Sequence, residues 1–231
     1  MTAICQKALR DHRLNWPRFY RNCRKIIEVF DRMPLRQEQK PKVGIVGEVL
    51  VKYMPLANNH LIEVLEKEGM EVVMPGMIEF LQYCFWNAQY RAEHLGGKRM
   101  ASFLSKAAIS VMNRIRKRIF VLLDQSQRFH RPASIGRIRQ LSARILQSGV
   151  HSGEGWFLPG EVSVLIEKGV SNIVCVQPFG CLPNHIVGKG IIKRVRELYP
   201  EANITAVDYD PGASEVNQLN RIKLMIQSAS K

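Results

Sequence analysis

The sequence predicts an α/β fold: an open, mostly parallel, Rossmann-like sheet with a helical N-terminal lead-in and a basic helical insertion. Three observations carry this expectation. Short apolar runs alternate with helical periodicity, as they do when parallel strands are joined by crossover helices. The runs are apolar on both faces, as in strands buried between two helical layers. Charge is segregated along the chain: residues 1–42 carry +7, 43–97 carry −4, 98–144 carry +11 and 145–231 carry none net, within a total of +14 over 231 residues.

The elements follow in order. Residues 2–33 suit amphipathic helix interrupted near Pro17 and ended by Pro34, and 36–42 is a polar linker. Val43–Gly47 reads as a doubly buried strand, 58–68 as a helix stopped by Gly69, and 71–74 as a strand stopped by Pro75-Gly76. After an insertion at about 78–147, with helical patterns over 101–123 and 135–146, the alternation returns. It gives helix 159–168, strand 172–176, helix 185–198, strand 203–207 and helix 214–226. The domain reading is thus a lead-in of 1–41 and one α/β domain of 42–231 that contains the insertion.

Composition excludes several classes. No apolar run approaches the roughly 18 residues that cross a bilayer, and the N-terminus lacks the apolar core of a secretory signal, so a soluble, cytoplasmic protein with no membrane partner is expected. Five cysteines without an export signal read as reduced thiols or metal ligands rather than disulfides. Gly188-Lys189-Gly190 lacks the Ser or Thr of a phosphate loop, and Gly44 with Gly47 does not complete a dinucleotide fingerprint, so no ATP site is found.

In open α/β sheets ligands bind beyond the carboxyl ends of the strands. The segments there are Gly47-Glu48, Pro75-Gly76, Gln177–Asn184 and Asp208–Gly212. Cys181, after Gly180 and just before a helix start, suits a thiolate that binds metal or attacks, and suits a small buried hydrophobe as well. Cys175 lies within a strand and favours the core, Cys84 sits among aromatics and is ambiguous, and Cys5 and Cys23 look incidental. His185 can act as acid, base or ligand, or merely pack. Asp208 and Asp210 can hold a ligand or form an ordinary turn. The basic residues Arg114, Arg116, Lys117, Arg118, Arg128, Arg131, Arg137, Arg139 and Arg144 suit docking of an acidic partner first, a phosphate-bearing ligand second and nucleic acid last, because few aromatics interleave with them.

Five blocks carry a resemblance: Lys42–Glu48, Pro55–Asn59, Gly153–Trp156, Gln177–His185 and Asp208–Ser214. Together they resemble the C-terminal region of acyl-CoA dehydratase activase-related proteins, relatives of the 2-hydroxyacyl-CoA dehydratase subunits and CoA-substrate-specific enzyme activases. The resemblance implies an iron–sulfur ([4Fe–4S]-type) or electron-transfer component of anaerobic metabolism. Such a component acts with an ATP-hydrolysing activase and dehydratase-type subunits on an acyl-CoA substrate, and is not active alone. It implies Cys181 as cluster ligand with Cys175 and Cys84 as helpers, and Gly180, His185, Glu48, Asp208 and Asp210 as cofactor-binding residues. The alternatives are a non-catalytic docking module of that system and, last, a basic nucleic-acid-binding protein.

Overall fold

The computed structural model describes residues 15–35, 38–210, 212 and 215–229. The reading of Cys5, the first part of the lead-in, and Pro211, Ala213 and Ser214 of the last block lie outside the described residues. The chain divides into two compact units, one of residues up to Glu38 with Ala88–Pro132, the other of Gln39–Asn87 with Ala133–Lys231. No helix among the described residues is long and apolar enough to cross a membrane.

The larger unit is an α/β layer built on four parallel strands, β1 Lys42–Gly47, β2 Glu71–Val73, β3 Asn172–Pro178 and β4 Asn203–Tyr209, in the order β2-β1-β3-β4. Val46 pairs with Cys175 and Cys175 with Ala206 in the two central ladders. Period-two alternation sends each strand's side chains to both faces. Val46, Ile173, Cys175, Ile204 and Ala206 join one apolar cluster, while Val43, Ile45, Val174, Val176, Val207 and Tyr209 join the other. This is why the strand segments read as unbroken apolar runs.

Helices of this unit are α2 Val49–Tyr53, α3 Leu61–Lys67, the first part of α4 Met77–His94, α6 Ile135–Ser142, α7 Phe157–Glu167, α8 Ile192–Leu198 and α9 Glu215–Ala229. Helix α7 packs on one sheet face through Leu158, Val162, Leu165 and Ile166, and α3 and α9 on the other through Leu61, Leu65, Ile222, Met225 and Ile226. A third cluster joins Tyr83, Trp156, Phe157 and Ile138, with Tyr83 and Phe157 ring centroids 5.0 Å apart. Gly160 lets α6 approach α7, since a Cβ there would stand 2.5 Å from Ile138 Cγ2.

The smaller unit contains α1 Trp16–Arg32 and α5 Arg99–Asp124. Pro17 stands in the first turn of α1, where its missing N–H costs nothing, so it begins the described helix. Asn15 caps this turn by accepting from Arg18 N at 3.0 Å. Tyr20 Oη donates to the Ile115 carbonyl at 3.0 Å and Ser126 Oγ to Asp31 at 2.7 Å, tying α1 to α5 and to the turn that follows it. Helix α1 has no buried residue, so this unit rests on polar ties and partly covered apolar side chains.

Candidate functional site

Strand order reverses between β1 and β3, and the crevice at their carboxyl ends is where an open α/β sheet binds ligands. The close approach there depends on Gly47, whose φ is +125°; a Cβ on it would lie 1.9 Å from the Val176 carbonyl oxygen. Glu48 follows with its amide donating to that same carbonyl at 2.9 Å and its carboxylate accepting from Val51 N at 2.8 Å. Glu48 is therefore the N-cap of α2.

Beside it, Glu154 is buried and accepts from Val49 N at 3.3 Å. Burial pushes its carboxyl above the usual glutamate range and the nearby Glu48 charge adds to this, against the amide hydrogen bonds that favour ionisation. Gly153, at φ +57°, brings the Glu154 loop onto the Cys181 loop, because a Cβ there would meet Pro183 Cβ at 2.6 Å. The Gly153 carbonyl accepts from Tyr83 Oη at 2.7 Å.

Strand β3 runs on through Gln177-Pro178 and β4 through Asp208-Tyr209, two residues further than the sequence expectation in each case. These four residues are thus rigid parts of the sheet edge, and the loop proper begins at Phe179. Asp208 is a hub: it accepts from Gln177 Nε2 at 2.5 Å and Lys189 Nζ at 2.8 Å, with His185 Nε2 at 3.6 Å. Partial burial alone would raise its pKa, but the Lys189 and Gln177 hydrogen bonds and the Lys189 and His185 charges outweigh that and hold it below the ordinary aspartate range. His185 Nδ1 stands 3.0 Å from the Cys181 carbonyl oxygen, which can only accept, so Nδ1 carries a proton. His185 and Lys189 bound a π-helical turn, and Gly188 within it leaves room for Cys175 Sγ and Gln177 Oε1, each 3.1 Å from a Cβ built there. Such turns inside helices are frequent at functional sites.

Of the predicted ligands, Cys181 is half-buried at this edge, with its amide donating to Pro178 O at 3.2 Å. Gly180 supplies the left-handed turn before it at φ +75°, with open space around its Cα. Cys175 faces the core one layer below, where burial first and then the Glu154, Glu161 and Asp208 charges push its thiol up to about 12. That disfavours the thiolate a metal requires. Cys84 is exposed on α4, and Cys23 lies on α1 in the other unit. Among the described residues no three His, Cys, Asp or Glu side chains are grouped to hold a metal ion. Asp210 caps a turn by accepting from Gly212 N at 2.9 Å and lines a 250 Å³ groove with Leu50, Leu56, Pro178, Tyr209 and Gln218.

Four buried polar atoms near this edge have no hydrogen-bond partner in the protein: Gln177 Oε1, both amide atoms of Asn184, and Tyr209 Oη. Asn184 is close enough to Glu154 to favour its carboxylate, yet completes no hydrogen bond with it. Each such atom costs on the order of 1–3 kcal/mol, so their concentration at one edge sets it apart from the rest of the fold.

Sequence reading missed the strongest buried charge pair. Lys52 Nζ, on α2, lies 2.8 and 3.0 Å from the carboxylate oxygens of Glu161 on α7, with side chains 2% and 3% exposed. Burial raises the Glu161 pKa, with the Lys52 charge opposing it and the Glu79 and Glu154 charges adding to it. Tyr53 next to it donates to the Pro75 carbonyl at 2.7 Å. A signal was present, since Glu161 is the one charge within the apolar run Trp156–Ile166.

The chain matches no family model, no curated protein and no solved structure with which it was compared.

Proposed function

We propose that the protein is a component of a 2-hydroxyacyl-CoA dehydratase/activase-type system, with the crevice between the carboxyl ends of β1 and β3 as its working site. The observation that carries the reading is convergence. The blocks that resemble the activase-related proteins are spread over some 170 residues, yet they interlock at one sheet edge. Gly153 packs on Pro183, and Gln177 and His185 meet Asp208; Val49 N, one residue past the first block, binds Glu154, and Gln218, past the last block, accepts from Asn59 Nδ2 and donates to the Asp208 carbonyl.

The role that suits this chain is a subunit whose site is completed by another polypeptide. Cys181 is half-exposed at the crevice, Cys175 is buried in the core and Cys84 is exposed on α4, so an iron–sulfur cluster at this edge would draw thiolates from that partner as well. The rim supports joint action: Leu56 is 80% exposed, Phe179 69%, Leu182 68% and Ile186 61%, apolar side chains that a partner polypeptide would cover.

The test is anaerobic co-expression with an activase ATPase and dehydratase-type subunits, followed by size-exclusion chromatography and iron and sulfide analysis. Co-elution with these subunits, with iron in the complex falling on Cys181→Ser, is the expected result. Elution alone and without iron would end the proposal.

A further inference from the structure

The basic block of residues 98–144 reads as one patch in the sequence, and the structure breaks it up. Arg137 donates to Glu167 at 2.7 Å, Arg139 lies over the Trp86 ring and Arg144 over the Tyr199 ring, all in the sheet unit. Arg131 pairs with Asp124, Arg128 donates to the Phe30 carbonyl, and Arg116 is buried against Phe120. The cations left on the outward side of α5 are Arg99, Lys106, Arg114, Lys117 and Arg118. Lys106 also reaches Glu93, and Arg118 covers Tyr20.

Between them lies apolar surface. Met100 is 66% exposed, Phe103 68%, Leu104 59% and Val111 57%, with Ala107 exposed among them. Spacings of three, four and seven put these five on one stripe about 17 Å long at 1.5 Å per residue. Arg99, Lys106 and Lys117 fall within about 20° of one another on one border of the stripe, at 100° per residue. Arg114 and Arg118 close its C-terminal end, and the only acid of the helix is Asp124, its last residue, already paired.

We propose that this face of α5 docks an acidic amphipathic helix from a partner protein. Ridge spacing of three and four residues is what a second helix packs into. A second copy of the chain would set cation against cation, which costs specificity and affinity. Anionic vesicles are the competing occupant of a basic amphipathic face, and the test sets the two apart. The proposal goes beyond the dehydratase reading and does not rest on it.

The experiment uses the full chain and a fluorescein-labelled synthetic peptide with leucine at heptad positions a and d and glutamate at e and g. The same peptide with lysine for glutamate, and vesicles of equal phosphatidylglycerol and phosphatidylcholine, serve as competitors. Saturable binding of the acidic peptide is expected, weakening at least about tenfold as salt rises from roughly 50 to 500 mM. Phe103→Ser with Leu104→Ser, and separately Arg114→Glu with Lys117→Glu, should each weaken it about tenfold or more while leaving the melting temperature near that of the parent, because these side chains are exposed. No saturable binding, equal binding of the lysine peptide, or displacement of the acidic peptide by the vesicles would each overturn the proposal.

Discussion

Lys52 and Glu161 form a two-contact ion pair, 2.8 and 3.0 Å, that is almost wholly removed from solvent and ties the first turn after β1 to the helix that covers the sheet. Two charges so placed interact strongly but have each lost their hydration, so the pair adds little net stability while either member alone is a large liability. Lys52→Met should therefore destabilise the protein by about 3–5 kcal/mol, and Lys52→Met with Glu161→Leu by much less. Urea unfolding of the two variants and the parent checks the order. A double variant as unstable as the single one would contradict it.

Glycines at positive φ differ in what surrounds them. Gly69 (φ +82°) has nothing within 4 Å of an added Cβ, whereas Gly47 would drive one into the Val176 backbone. Gly69→Ala should cost about 1 kcal/mol from backbone conformation alone. Gly47→Ala should cost at least about 3 kcal/mol, since the β1–β3 ladder must part to admit it. Thermal melts of the two variants give the comparison directly.

Glu154 supplies a pH dependence with a definite sign. Its carboxyl titrates higher in the folded chain than the ordinary 4.5, so the native state holds the proton more tightly than the unfolded chain. The stabilisation from this is complete below 4.5 and is lost as pH rises through the folded value. Glu154→Gln keeps an acceptor for Val49 N and removes the titration. Stability of the parent relative to this variant should fall as pH increases above about 4.5, measured by denaturant unfolding at a series of pH values. Asp208 acts the other way: its lowered pKa contributes stability above the unfolded value of 3.8 that is lost as pH falls through the folded value. Asp208→Asn should accordingly remove stability at neutral pH and little under strong acid.

The thiols should separate by accessibility. Alkylation with iodoacetamide at pH 8, read by peptide mass spectrometry, should modify Cys84 and Cys181 in the native protein and reach Cys175 only once denaturant is present. Native labelling of Cys175 at the rate of Cys84 would refute its core placement.

Much of the sheet was legible because doubly buried strands have nothing polar to blur them: β1, β3 and β4 begin within one residue of expectation. Their ends were not, since Gln177-Pro178 and Asp208-Tyr209 have the chemistry of loops while their backbones still pair. Helix α2 was invisible: five residues with two valines and a tyrosine have weak helix propensity, and the segment is held by the Glu48 cap and by tertiary packing. The segments that hold Glu48, Gly180, Cys181, Asp208 and Asp210 lie at the carboxyl ends of the strands, where the sequence puts them, because position along a strand is local information. Glu161 stood out as a charge in an apolar run, but its partner Lys52 and the dispersal of the arginines were not readable. Their partners lie 109 residues apart in one case, and in the other belong to elements whose packing no local pattern encodes.

The π-helical turn at His185–Lys189 has a consequence for phase. A π turn spends one residue more than an α turn, so side chains after it are rotated by about 100° from where an uninterrupted α-helix would send them. Here Val187, Ile191 and Val195 stay on the sheet while His185 and Lys189 stay on Asp208. Deleting a single residue from this turn would restore regular winding and put those two allegiances in conflict. The segment is thus a phase adapter: one residue of length reconciles what the core demands of the helix with what the crevice demands of its first turn.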